Sequence, residues 1–225
     1  MKPNGTAGEE TGKVVNTSRR KFIQLAGGVA GAGLIFASCR RTPASDTYVG
    51  EGDVALLNYL YILKQVTAAF YTQAVNTDYI GITLSEVQLQ INLRDQEIVH
   101  REFFKSVLAG NAVKEITTDL SPVTFADRDN FLKHATDLED LTVAAYNGVI
   151  QLITDNDMIL TLAKMASVDG RHASYVRDIR KHNDTGSGLV INANGLNNVI
   201  SPTAGMSMLD KYIETRFDIT KLPTF

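Results

Sequence analysis

Four stretches of the chain place apolar residues at intervals of three and four, the period of a helix with one buried face, and clear polar punctuation separates them. The first spans about 53–76, with Asp53 as candidate cap and Leu57, Leu60, Lys64, Ala68 and Tyr71 on one stripe. The second spans about 85–109. It opens on Thr83-Leu84-Ser85-Glu86, where Thr83 and Glu86 fit a capping box, carries Leu89, Leu93, Phe104 and Val107 on its stripe, and stops at Gly110. The third spans about 127–154, with Leu132, Ala135, Tyr146 and Ile150 along one face. The fourth spans about 157–181, with Leu162, Met165, Val176 and Ile179. A short polar turn joins the last two, so they pack as antiparallel neighbours.

Between the second and third stretches, residues 111–126 contain Pro122 and show no helical pattern. A helix of about 26 residues is roughly 39 Å long, and about fifteen extended residues reach roughly 50 Å. The segment is therefore a crossover able to run the length of a bundle. The pattern predicts an all-α fold, an antiparallel four-helix bundle over 53–182 with one long crossover between helices two and three. A C-terminal extension, 183–225, is Gly- and Asn-rich through Asn198 and then carries a short helical pattern over 202–217.

The length of 225 residues suits one domain plus a leader. A net charge of -3, with no long basic run beyond the leader, argues against nucleic acid as a partner. In the leader, Ser18-Arg19-Arg20-Lys21-Phe22-Ile23-Gln24 precedes an uncharged Gly- and Ala-rich stretch over 25–37, which resembles a twin-arginine export signal. That stretch is shorter than the roughly 20 apolar residues of a membrane-spanning helix. Cys39, the single cysteine, follows Ile35-Phe36-Ala37-Ser38, which looks like a lipoprotein cleavage box with Phe36 in place of the usual Leu. The expectation is a signal segment over 1–39 read by the twin-arginine export machinery, with Arg19 and Arg20 as its signature. Cys39 is then the lipidated residue, 40–52 a linker, and the mature protein sits in the periplasm or cell envelope. Cleavage without lipidation is the competing reading.

Helix two carries Glu97-Ile98-Val99-His100 and helix four carries Asp169-Gly170-Arg171-His172, each an acid and a histidine three residues apart and so on one helix face. Helix three adds Glu139 on its apolar stripe. Buried carboxylates need partners, because an unpaired charge in the interior is costly. A Glu from each of two helices with a Glu-x-x-His pair from each of the other two is the ligand set of carboxylate-bridged two-metal bundles. Five of those six positions are filled here, by Glu97, His100, Glu139, Asp169 and His172. Their oxygen and nitrogen donors suit Fe(II), Mn(II) or Zn(II). His134 and His182 fall outside the stripes and read as surface residues; Tyr71, Tyr146 and Tyr175 read as core packing near the centre.

The phrases Leu56-Leu57-Asn58-Tyr59 through Ala68-Ala69-Phe70-Tyr71, Leu138-Glu139-Asp140 through Val143-Ala144-Ala145-Tyr146, and Arg171-His172-Ala173 resemble the ferritin-like family that includes desiccation-related proteins. The resemblance covers roughly 53–181 and implies the bundle fold and the ligand positions, but no particular reaction. In the family pattern one metal takes the helix-one acid and the helix-two histidine, and the other takes the helix-three acid and the helix-four histidine. The remaining two acids bridge. This chain departs from that pattern by placing Lys64 where the helix-one acid belongs and Asp169 where a longer Glu is usual. Three readings follow: a single Fe or Mn ion at the Glu139 and His172 end, a metal-free bundle held by a Lys64–carboxylate network, and an intact two-metal site completed by water or neutral Lys64.

Overall fold

The computed structural model describes residues 46–184, 186 and 190–225. The leader with Arg19 and Arg20, Cys39 and residues 40–45 of the linker lie outside the described residues. Helices α1 (Gly52–Val75), α2 (Leu84–Leu108), α3 (Arg128–Ile150) and α4 (Asn156–Arg180) form the bundle, and α5 (Pro202–Leu209) lies in the C-terminal extension. A two-residue strand β1 (Thr47–Tyr48) pairs in parallel with β2 (Phe217–Asp218), tying the start of the described chain to its end.

The helices begin and end where local chemistry stops them. At the start of α2 the Thr83 hydroxyl accepts from the Glu86 N–H while the Glu86 carboxylate accepts from the Thr83 N–H, the predicted capping box. Asp127 caps α3 and Asp155 caps α4. Asp53, expected as the cap of the first helix, is not one. The N-cap is Glu51, and the Asp53 carboxylate instead accepts from Thr154 N and Asp155 N, bracing the α3–α4 turn.

The crossover lies lengthwise along α1. Near its start, buried Asn58 donates to the Asn111 carbonyl at 2.9 Å and accepts from Val113 N at 2.9 Å. Further on Gln65 accepts from Ile116 N, and near its end Phe125 packs against Phe70. α3 then starts beside the far end of α1, where Phe131 stacks on Phe70, and finishes beside its beginning, where Thr154 meets Asp53. α1 and α3 are therefore antiparallel. This is the long-crossover bundle predicted from the apolar periodicity.

The C-terminal extension is shorter in helix than its pattern predicts, but it completes the core. α5 packs on α1 and α3. Two close approaches depend on glycine: a Cβ at Gly205 would collide with the Tyr59 hydroxyl, and one at Gly148 with the Ile200 carbonyl. Tyr212 is buried and shares a 2.6 Å hydrogen bond with His134 Nδ1. His134, expected at the surface, is thus covered by the extension. With α2, α3, the crossover and α5 around it, α1 is buried on nearly every side, as suits a helix that is apolar all round. Two expected core positions turn outward, Val107 and Tyr175; on α2 the buried series runs Glu97, His100, Phe104, Leu108, following the 3.6-residue period past Val107.

Candidate metal centre

Each bundle helix sends at least one polar side chain into the middle of the core. From α1 come Lys64, Thr67 and Tyr71; from α2, Glu97 and His100; from α3, Glu139; from α4, Asp169 and His172. Lys64, Thr67, Tyr71, Glu97, Glu139 and Asp169 are fully buried, and both histidines nearly so. All six residues singled out from the sequence, the five candidate ligands and Lys64, meet in this space.

At one end the Lys64 ammonium donates to both Glu97 oxygens, at 2.9 and 2.8 Å, and to Asp169 Oδ2 at 2.7 Å. The Thr67 hydroxyl also donates to Glu97 Oε2. Burial alone would lower the lysine's affinity for its proton, but Asp169, Glu97 and Glu139 reverse that and hold it well above the usual lysine value. Burial would likewise raise Glu97 and Asp169. Lys64 together with His172 and His100 outweighs it, so both lie below the usual carboxylate range. The ammonium also lies over the Tyr146 ring, 5.5 Å from its centroid.

The other end is organised differently. Tyr71 donates to Glu139 Oε1 at 2.7 Å, while Glu139 Oε2, Asp169 Oδ1, His172 Nδ1 and His100 Nδ1 are buried without a hydrogen bond. These orphaned atoms face one another. His172 Nδ1 lies 3.4 Å from Asp169 Oδ1, 3.6 Å from Glu97 Oε1 and 3.9 Å from Glu139 Oε2, and His100 Nδ1 lies 3.2 Å from Asp169 Oδ1. Ligands about 2.0–2.2 Å from one ion stand roughly 3–3.5 Å apart, so the spacing is that of a coordination cage with slight expansion. Glu97, Asp169 and His172 offer donor atoms within 4.8 Å of one another. Glu97, Asp169 and His172 fit a cation, whose coordination would satisfy the Asp169 and His172 atoms that no hydrogen bond reaches; Glu139 Oε2 borders this group at His172, and His100 Nδ1 borders it at Asp169.

Electrostatics separate the two ends further. Burial, reinforced by Glu97, pushes the Glu139 carboxyl up to about 8, so at neutral pH it carries a proton. Burial would lower His172, but Glu97, Glu139 and Asp169 beside it raise it instead. Tyr71 is held well above its ordinary value by burial and by Glu139, so it stays a donor.

Sequence reasoning gave no role to Thr67, Tyr71 or Gln96. Thr67 and Tyr71 lie three and seven residues beyond Lys64 on a helix with few polar residues, a spacing that could have drawn attention to them. Gln96 is exposed on α2, yet its amide oxygen lies 3.0 Å from His172 Nε2. Nothing in the sequence distinguishes it from other surface residues.

A family model for the ferritin-like domain matches residues 52–182, the segment from the start of α1 to just beyond α4. No curated protein matches the chain. The match spans more than half of the sequence and contains every polar residue of the buried centre, and the chain belongs to the ferritin-like domain family.

Proposed function

We propose that this chain is an exported ferritin-like protein that binds a single divalent transition metal, Fe(II) or Mn(II), in a one-sided remnant of a two-metal site. Glu139, His172, Glu97 and Asp169 hold the ion, with His100 at the edge. Lys64 occupies the position of the second ion and binds the bridging carboxylates in its place. The observation that carries this reading is the meeting of Glu139 Oε2 and Asp169 Oδ1, neither of them hydrogen-bonded, at His172 Nδ1, 3.9 and 3.4 Å away.

Charge supports it. Raised proton affinities favour a protonated Glu139 and a charged His172, and in that state two cations, Lys64 and His172, face two anions, Glu97 and Asp169, so the charges balance. Loss of the Glu139 and His172 protons leaves two negative charges, the amount a divalent ion offsets. A bound Fe(II) or Mn(II) would supply one-electron redox chemistry in a site closed to bulk water. Export rests on the order of paired arginines, apolar stretch and Cys39, and anchoring on lipidation of Cys39. No helix among the described residues is long and apolar enough to cross a membrane.

A metal-free bundle is the second reading, favoured by the bonds Lys64 makes to both Glu97 oxygens and to Asp169. Titration with Mn(II) decides between them. The proposal expects the wild type to take up close to one ion per chain and Lys64→Glu to approach two, since that change removes a cation and restores the absent acid. No uptake by either would establish the metal-free reading.

A further inference from the structure

We infer that Gln96 is a positioning residue for His172: its amide oxygen accepts from His172 Nε2 and so turns the Nδ1 lone pair of the neutral ring into the cage. The inference rests on the metal-binding reading for its purpose, but its structural content stands apart from it.

A neutral imidazole carries one proton, and the nitrogen without it is the only one that can bind a metal. Which nitrogen that is depends on what the other touches. His172 Nδ1 faces Asp169, Glu97 and Glu139 at 3.4–3.9 Å without a hydrogen bond, while Nε2 points outward to Gln96 Oε1 at 3.0 Å. An amide oxygen accepts and does not donate. The bond therefore selects the Nε2–H tautomer and fixes the ring plane, which is how an outer hydrogen bond prepares a ligating histidine.

The other histidine supplies an internal control. His100 stands at the same spacing from its helix acid, with Nδ1 3.2 Å from Asp169 Oδ1 and not aligned to bond it. No described residue forms a hydrogen bond to its outer nitrogen. The anchored ring thus belongs to the end of the centre that keeps its acid, Glu139, and the unanchored ring belongs to the end where Lys64 has replaced one. Gln96 itself comes from α2 and His172 from α4, so the bond also spans the two helix pairs.

Histidine 15N NMR on the metal-free chain, followed upward in pH until the ring signals stop shifting, reads the tautomer directly. His172 should be almost wholly Nε2–H in the wild type and in Gln96→Glu, whose carboxylate is an obligate acceptor, and should shift toward a mixture in Gln96→Leu. His100 should be mixed in all three. Mn(II) affinity should fall about 10–100-fold in Gln96→Leu and be kept in Gln96→Glu. An unchanged His172 tautomer in Gln96→Leu overturns the inference, as does an Nδ1–H ring in the wild type. A tautomer that follows Gln96 while no variant binds Mn(II) upholds the positioning role and overturns the metal-binding reading.

Discussion

The Lys64 end of the buried centre and its Glu139 end contain similar residues in opposite states of completion. At the first, both oxygens of Glu97 and one of Asp169 are bonded, and the ammonium is held by two carboxylates. At the second, donor atoms from Glu139, Asp169 and His172 are buried without a hydrogen bond, with His172 Nδ1 3.4 Å from Asp169 Oδ1 and 3.9 Å from Glu139 Oε2. Each such atom costs about 1–3 kcal/mol relative to a paired one. A bundle selected for stability alone would gain by replacing the second end with apolar side chains. The difference therefore separates a part of the core that the fold completes internally from a part that stays open to a ligand.

Removing the ammonium should break the comparison most severely. Lys64→Ala leaves Glu97 and Asp169 buried without a countercharge, and breaking a buried pair in this way costs about 3–5 kcal/mol. Urea unfolding of the metal-free variant should show that loss, with partial recovery on adding Mn(II). A loss under about 1 kcal/mol, the scale of an exposed pair, would mean that the carboxylates take up protons or water readily and that the two ends do not differ.

The pH dependence should be next in size. Glu139 has a folded pKa of about 8, above the ordinary value for an unfolded Glu, so the native state binds more protons between the two values and stability falls as pH rises through that window. His172, also raised, contributes stability that is complete below its unfolded value and is lost as pH rises through its folded one. Glu97 and Asp169 are depressed, so their contribution is present above their unfolded values and lost only in acid. The metal-free chain should accordingly lose about 4 kcal/mol between pH 5 and pH 8.5. Saturating Mn(II) should flatten or reverse the slope, because binding requires the deprotonated ligands. A metal-free profile that rises across this range would place an ionised Glu139 in the native state.

Much of this was legible in the sequence because it depends on helical period. The spacings Glu97 to His100 and Asp169 to His172, with Lys64 and Glu139 on apolar stripes, brought six side chains to one place without any coordinates. The crossover followed from length alone. What escaped depends on contacts between segments distant in sequence: His134 looks like a surface residue until Tyr212 covers it, and Asp53 looks like a cap until the α3–α4 turn takes its carboxylate. Gln96 escaped for the same reason, since its partner lies 76 residues away. The all-round burial of α1 had a signal that stripe counting passed over, because between Val54 and Thr77 Lys64 is the only charged residue.

A smaller effect should follow from removing the one hydrogen bond made by Glu139. Tyr71→Phe keeps the ring against Phe70 and deletes the 2.7 Å donation to Oε1. The loss of a buried bond of this kind is about 1 kcal/mol. Because the donation favours the ionised carboxylate, its removal should also move the Glu139 titration, followed by 13C NMR of the carboxyl carbon, to higher pH. A shift to lower pH would mean that the hydroxyl was not donating.

No loss of stability at all should come from Glu139→Gln, and there the contrast with Lys64 becomes sharpest. At neutral pH the Glu139 carboxyl already carries its proton, and an amide has nearly the same shape, with an oxygen to accept from Tyr71. Because unfolded Glu139 ionises while folded Glu139 keeps its proton, the wild type loses stability above pH 4.5 that the variant keeps, so at pH 7 the variant should be the more stable by roughly 3 kcal/mol, although the site is fully buried. Above pH 8 that lead should level off, since by then Glu139 is ionised in the folded wild type as well, and across pH 5 to 8 the variant's stability should fall less steeply with pH. Mn(II) uptake should nevertheless be lost, because the amide cannot supply the negative charge at Oε2. Urea unfolding at pH 7 and pH 9 and a Mn(II) titration of the same preparation measure all three. A large loss of stability at pH 7 would show Glu139 to be an ionised partner in the Lys64 network, and would make the two ends one continuous salt bridge with no position kept for a metal.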